Sequence, residues 1–534
     1  DTLEQLRMSL SSARSAALET QSLRTGRSKI ISDQIDALGP IPEDPDSEAK
    51  DIAELRASLA KQLAVAKAPL IVAEEAFRRA NGLISEIDKT IRERSASAFL
   101  KLGVSPLSPN TWGSTISDIK KYFGQVRSEV VQSLNNPSSK VIRSNNLPGI
   151  IFFAILGLAL TFPATKWVSQ NMSIANQRHD AKLKKVSYLA YSCLVFIAPL
   201  LGICFLIRSL EMLDIFGYRG EALTQAVMAM SVAVVSSYWL AHNLFKESGL
   251  TRELLGIASK RLVGAYSVTI LMGVALGLYW LINNLIQTAD LSETSIAVME
   301  FPLILIGSYG LITFSQRVKM YRARLISEKR ITPISDRLSS LVLMLTLATG
   351  LAGPISAAIG YSNIGSKLVF ATILTLAVIF ALFVIFTLIA FLFSEIIIRN
   401  QNKNIQESTS KGSLFNVFLA FILACCAIPL LALIWGARVV DIQDVWLSLK
   451  DGIVLGDTRI SISDFITFVI IFFIGYTLTR LLQSALRLSV LPNTKIDTGA
   501  QNALVTGVGY IGIFFSALIA ITSMGLDLSS LAIV

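Results

Sequence analysis

Two hydrophobic rhythms divide the chain. Up to about residue 146, apolar positions recur singly, every three or four residues, among charged neighbours. Ile52, Leu55, Leu59, Leu63, Ala66, Leu70, Ala73, Phe77, Ala80, Ile84, Ile87 and Ile91 make one such stripe, and Leu3, Leu6, Leu10, Ala13 and Ala17 begin another. Steps of three and four keep these side chains on one helix face, as in a coiled-coil seam. Between the stripes lies "GPIPEDPDS", where Pro40, Pro42 and Pro45 bar helix and Asp46 or Ser47 is placed to cap the second helix. The pattern predicts a helical hairpin with a kink at Pro69, then a third helix from about Thr115 to Leu134. A spacer or a self-association surface fits this segment, and none of it points to catalysis.

From Leu147 the rhythm changes to unbroken apolar runs of the length a helix needs to cross hydrocarbon. They fall at about 147–168, 186–207, 222–245, 262–286, 295–315, 338–361, 366–394, 414–436, 464–482 and 503–524. Lipid offers the backbone no hydrogen-bond partner, so such runs must close their bonds internally. The expected fold is therefore all-α: a multi-span transmembrane bundle of about ten helices plus the start of an eleventh, preceded by an extramembrane helical hairpin. The chain then has three regions: 1–146, the coiled-coil-like segment; 147–482, nine outer spans; and 483–534, a linker, the last complete span and the first residues of another helix.

Composition agrees with this division. Of 534 residues, 52% are hydrophobic and 16% charged, and the mean hydropathy is +0.58. Cys193, Cys204, Cys425 and Cys426 all lie in apolar runs, where a thiol acts as a small hydrophobe. His179 and His242 stand apart, so no metal or other cofactor is expected. Without a GxSxG set, a P-loop, an HExxH or zinc spacing, the expectation is a non-enzyme.

Charge gives the bundle a direction. Alternate loops are basic: Arg178, Lys182, Lys184 and Lys185; Lys246, Arg252, Lys260 and Arg261; then a heavy group from Arg317 to Arg337. Arg399, Lys403 and Lys411 come next, then Arg480, Arg487 and Lys495. By the positive-inside rule these loops are cytoplasmic, which puts the N-terminal segment outside, in the periplasm of a Gram-negative source with the spans in its inner membrane. A removed export signal is expected ahead of Asp1, although a trimmed tag would leave the same start. The net charge of +10 is then a topology signal. It lacks the aromatic and groove-reading context that nucleic acid needs, and membrane lipids are the expected partner.

The middles of the spans are almost bare of ionisable groups. Glu300 lies near a span end, where snorkelling to the interface is expected, and Glu395, Asp464 and Arg480 are terminal as well. "LATGLAGPISAAIGY", Leu347 to Tyr361, reads either as a span kinked at Pro354 or as a broken helix of a transport site.

The last stretch carries a resemblance. "RLLQSALRLSVLPNTKIDTGAQNALVTGVGYIGIFFSALIAITSMGLDLSSLAIV" has an Arg-bearing span end (Arg480, Arg487), then "LPNTKIDTGAQNAL", then Tyr510 and the Gly525–Asp527 turn. Over about fifty-five residues it resembles the lead-in to the pore of the small-conductance mechanosensitive channel (MscS) family. The N-terminal hairpin and extra spans are similar, more loosely, to larger members with an exported coiled domain. The resemblance implies a tension-opened channel that releases ions and small solutes on hypo-osmotic shock, assembled as a homo-oligomer, typically a heptamer. It implies a pore helix opening at Ser529 to Val534, with the pore-lining residues and a cytoplasmic β-rich domain beyond Val534. Candidate gating positions are Arg480, Arg487, Pro492, Asp497, Tyr510, Gly525 and Asp527. Two other classes stay open: a secondary transporter, and a non-conducting scaffold whose hairpin recruits an exported partner.

Overall fold

The computed structural model describes residues 2–39, 49–162, 181–245, 263–286, 288–289, 291–327, 333–400, 405–451, 453–455, 458–460, 462–486 and 497–523. It is an all-α, multi-span helical bundle, and its one departure among these residues is a two-stranded antiparallel hairpin, β1 (Ile453–Leu455) with β2 (Thr458–Ile460). Contacts divide the chain into two compact units: Asp1–Glu247 with Ala258–Ile373, and Ser248–Ile257 with Leu374–Val534.

The first unit opens with the expected hairpin. Helix α1 (Thr2–Asp36) packs along α2 (Lys50–Phe99). Leu59, Ala73, Ala80, Ile84 and Ile87 of the stripe are buried, whereas Ile52 and Leu55 are exposed. Charge reinforces the seam at its far end, where Arg7 Nε and Nη2 donate to the Asp88 carboxylate at 2.7 and 3.0 Å. Helix α2 continues through Pro69 as one element. Ala49 is its N-cap, and Asp46 and Ser47 lie outside the described residues.

Helix α3 (Pro109–Asn135) begins six residues before the expected Thr115, because Pro109 at its first turn presets helical φ and loses no needed bond. Asn136 both ends α3 and caps α4 (Pro137–Thr161), its side chain accepting from the Ser138 amide at 3.1 Å. A single helix thus carries the chain from the polar segment into the first apolar run.

Among the described residues, ten helices are long and apolar enough to span a membrane, and they correspond one for one with the ten apolar runs. After α4 come α5 (Ala181–Met212), α6 (Tyr218–Phe245), α7 (Val263–Ile286), α8 (Glu293–Ser327), α9 (Pro333–Ile359) and α10 (Ser362–Asn400). Helix α10 begins in the first unit and runs on into the second. The chain ends with α11 (Ile405–Ile434), the short α12 (Val439–Asp451), the β-hairpin, α13 (Ile462–Ala485) and α14 (Thr498–Ser523).

Close contacts in the first unit track the small residues. In the α4–α5 pair a Cβ on Gly157 would meet the Gly202 carbonyl at 2.8 Å, so only glycine permits this approach. Hydroxyls stitch neighbouring helices as well: Ser209 donates to the Ile150 carbonyl at 3.0 Å, and Ser315 to that of Leu343 at 2.9 Å. Helix α9 runs unbroken through Pro354 to Ile359. The thiols of Cys193, Cys204, Cys425 and Cys426 are free and exposed on apolar helices.

Candidate functional site

In the first unit, one end of the bundle is gripped by the segment from Ala98 to Ser133. Helix α3 makes this contact with a single stripe, Asp118, Tyr122, Val126, Glu129 and Ser133, spaced by four, four, three and four residues. Each polar member meets the beginning or end of a spanning helix. Asp118 Oδ2 accepts from the hydroxyls of Ser295 at 2.7 Å and Ser292 at 3.1 Å. Ser292 in turn caps α8, accepting from the Ser295 amide at 3.2 Å. The carboxylate thus lies at the positive end of a helix dipole, and the Ser295 hydrogen bond holds its pKa below the ordinary carboxylate value.

Glu129 serves the start of α6 in the same manner. It accepts from the Arg219 amide at 3.2 Å and from the Arg219 guanidinium at 2.7 Å. Gly217 makes room, since a Cβ there would lie 2.7 Å from a Glu129 carboxylate oxygen. Tyr122 donates to the Arg219 carbonyl at 3.3 Å, and burial pushes its phenol pKa up. Ser133 bonds the carbonyl of Asp214, in the turn between α5 and α6. Between these polar ties sits an apolar patch of Tyr122, Val126, Ala226, Leu285 and Ala289.

The connector between α2 and α3 holds a further turn. Gly103 donates to the Gly360 carbonyl at 3.1 Å, and Ser105 Oγ to that of Ala358 at 2.6 Å. Asn363 Nδ2 donates to the Ala98 carbonyl at 3.1 Å, and Lys101 pairs with Glu293 at 2.7 Å. The turns α5–α6, α7–α8 and α9–α10 are therefore all engaged from one side by one continuous segment.

Beneath the connector lies a cavity of about 680 Å³ lined by Lys101, Glu293, Thr294, Ser362, Asn363 and Glu300, among others. Glu300 does not snorkel: it is only 5% exposed. Its helix is packed against α7 and α9, and the connector covers this end, so the carboxylate turns inward. Ser366 and Tyr279, whose ring stacks on Phe370 at 4.0 Å, stand near it in a polar cluster between α7, α8 and α10. Among the described residues, no group of three or more His, Cys, Asp or Glu side chains is placed to hold a metal ion.

Residues 70–132 match a family model described as "Protein of unknown function (DUF3772)". No curated protein matches the chain. The matched stretch takes in the second half of α2, the connector and all but the end of α3. It therefore contains Lys101, Gly103, Ser105, Asp118, Tyr122 and Glu129, the groups that grip the bundle.

The gating candidates lie in the second unit. Helices α13 and α14 pair antiparallel along small residues: Gly475 faces Ser516, Gly512 faces Thr479, and Gln483 donates to the Val505 carbonyl at 2.8 Å. Asp497 is the α14 cap, its carboxylate accepting from Gly499 N at 3.1 Å and its carbonyl from Gln501 N at 3.0 Å. The helix accordingly starts at Thr498. Arg480 is exposed on α13, its Nε donating to the Tyr476 hydroxyl at 3.1 Å and its guanidinium 5.4 Å from that ring. Tyr510 is 73% exposed on α14. Arg487, Pro492, Gly525 and Asp527 lie outside the described residues.

The α3 stripe and the Glu300 cluster escaped the sequence reading. The stripe mixes acidic, aromatic and hydroxyl residues, so no apolar periodicity marks it. Its signal was the coincidence of two carboxylates, Asp118 and Glu129, about three helical turns apart on α3, with the capping sequence "LSETS" at the start of α8.

Proposed function

We propose that the chain belongs to a mechanosensitive channel of the MscS type, in which membrane tension favours the state of larger in-plane area. The observation that carries this reading is the α13–α14 pair. The stretch that resembles the family's pore lead-in coincides with an Asp497-capped helix seated on its neighbour through Gly475, Gly512 and Ser516. A close antiparallel pair of this kind moves as one body, and so passes a lipid-borne force to the next element of the chain.

On this reading the remaining spans are lipid-facing helices whose contacts report bilayer thickness and lateral pressure. Arg480 and its Tyr476 partner sit at the headgroup level of the cytoplasmic leaflet, the setting in which an Arg and a Tyr are both comfortable. The protein sits in a bacterial inner membrane with its N-terminal helices in the periplasm. It works as a homo-oligomer, a heptamer by family resemblance, without a cofactor and without catalysis, passing ions and small solutes.

Buried Glu300 favours one second reading, a secondary transporter, since intramembrane carboxylates often carry coupling protons or substrates. Patch-clamp recording of the complete gene product in liposomes under suction separates the two. Tension-activated current that persists in Glu300→Gln is the expected result. Absence of any such current, with protein shown to be inserted, overturns the channel reading.

A further inference from the structure

Apart from Lys101, whose exposed ammonium pairs with Glu293, the exposed side chains of the connector from Phe99 to Leu107 are apolar. Leu100, Leu102 and Val104 are 64%, 60% and 49% exposed, and Leu107 is 61% exposed. Residues alternate along it: Lys101, Gly103 and Ser105 bond to Glu293, Gly360 and Ala358, while the apolar residues between them stay uncovered. A water-facing loop would not be expected to show this pattern, because leucines would then be the side chains left in solvent.

The position of the connector identifies what covers these residues. Gly360 and Ala358 belong to the turn joining α9 and α10, two helices that span the membrane. Ile355 and Ile359, near the end of α9, are each 59% exposed, the apolar outer face that a span turns to lipid. Through the Ser105–Ala358 bond, the connector's apolar row continues that surface. Trp112 extends it: its ring is 44% exposed while its Nε1 donates to the Pro106 carbonyl at 2.9 Å. An indole with a satisfied N–H and an open apolar face suits the boundary between headgroups and acyl chains.

We infer that the Phe99–Leu107 connector is a membrane anchor. Leu100, Leu102, Val104 and Leu107 insert at the headgroup–acyl boundary of the leaflet on that side, with Trp112 beside them. The partner is the lipid surface, and the extramembrane helices are held to the bilayer as well as to the helix ends. This inference needs only that the spans lie in a membrane, and it stands whether or not the channel reading holds.

Site-directed spin labelling of the full chain in liposomes tests it. In a variant lacking the four native cysteines, nitroxides are placed singly through Leu102→Cys, Val104→Cys and Leu107→Cys. Ile359→Cys gives the lipid reference, and Val65→Cys, on the exposed face of α2, the water reference. Labels at 102, 104 and 107 are expected to lose contact with a water-soluble nickel relaxant and to gain contact with dissolved oxygen, as at 359. Nickel contact equal to that at 65 overturns the proposal. So does dipolar broadening between like labels on neighbouring molecules, which would mean that a second copy covers the row.

A label-free measurement guards against variants that do not fold. Fluorescence quenching by lipids brominated near the headgroup is compared for the parent protein and Trp112→Phe. The parent is expected to show an extra quenched component, stronger than with lipids brominated near the chain end. Its absence overturns the proposal independently of the labels.

Discussion

Gly103 and Gly360 meet backbone to backbone, the amide of the first donating to the carbonyl of the second at 3.1 Å. Gly360 holds φ at +123°, a region that side chains rarely enter, and a Cβ on it would stand 2.5 Å from the Gly103 carbonyl oxygen. Both the turn and the docking of the connector therefore require glycine here. Gly360→Ala is expected to cost about 1–3 kcal/mol. Hydrogen exchange should report the loss as faster exchange through residues 98–108. Gly82→Ala on α2, where a new methyl meets nothing within 4 Å, should leave those amides unchanged.

Asp118 makes the docking of α3 sensitive to acid. Its pKa lies below the ordinary value, chiefly through the Ser295 hydrogen bond. Its contribution is therefore complete from neutral pH down to the ordinary carboxylate pKa of about 3.9, and it fades as pH falls through the depressed value. Asp118→Asn forgoes the contribution at every pH. The difference in thermal midpoint between parent and variant should stay level from about pH 7 to 5 and narrow below about pH 4. A difference that persists undiminished into acid would show that the carboxylate's charge is not what holds α3.

How far the sequence foretold this structure depends on how local each feature is. Span positions derive from the length of apolar runs, a property of contiguous residues, and all ten runs appear as helices. The hairpin derives from the stripe ending at Ile87 and Ile91, since a helix period is equally local. The Asp497 cap is local in the same way, because capping is decided within three or four residues. The ties from Asp118 to Ser295 and from Gly103 to Gly360 join positions 177 residues or more apart, and no short-range pattern encodes them. Glu300 shows the same limit: its place near a span end is local, but the connector that covers it comes from a segment about two hundred residues earlier.

Arg7 and Asp88 are 2% and 13% exposed in the hairpin seam, and each neutralises the other there. Removing Asp88 takes the two-pronged carboxylate from a buried guanidinium, so Asp88→Ala is expected to destabilise the hairpin by about 3 kcal/mol. Replacing both, as Arg7→Met with Asp88→Leu, removes the charges together and should cost much less, or nothing. Hydrogen exchange along α1 distinguishes the cases. Equal damage in the single and double variants would mean that the pair's geometry, rather than charge burial, matters.

The fit of α13 against α14 decides how that pair moves. A Cβ on Gly512 would lie 2.9 Å from that of Thr479, closer than the roughly 3.5–4.5 Å between the Cβ atoms of a disulfide. Gly512→Cys with Thr479→Cys, in a variant lacking the native cysteines, should therefore cross-link on oxidation after a spread of about an ångström. Gly512→Leu should instead force the helices apart, at a cost of about 1–3 kcal/mol. With small residues facing one another at successive turns, the pair has no slack to slide without separating. If tension acts on it as a rigid body, the oxidised double-cysteine protein keeps its tension-activated current at the parent's threshold, whereas Gly512→Leu shifts the threshold. A current blocked by oxidation and restored by a reductant would sink the rigid-pair account, because it would mean that α13 and α14 part or slide as the protein opens.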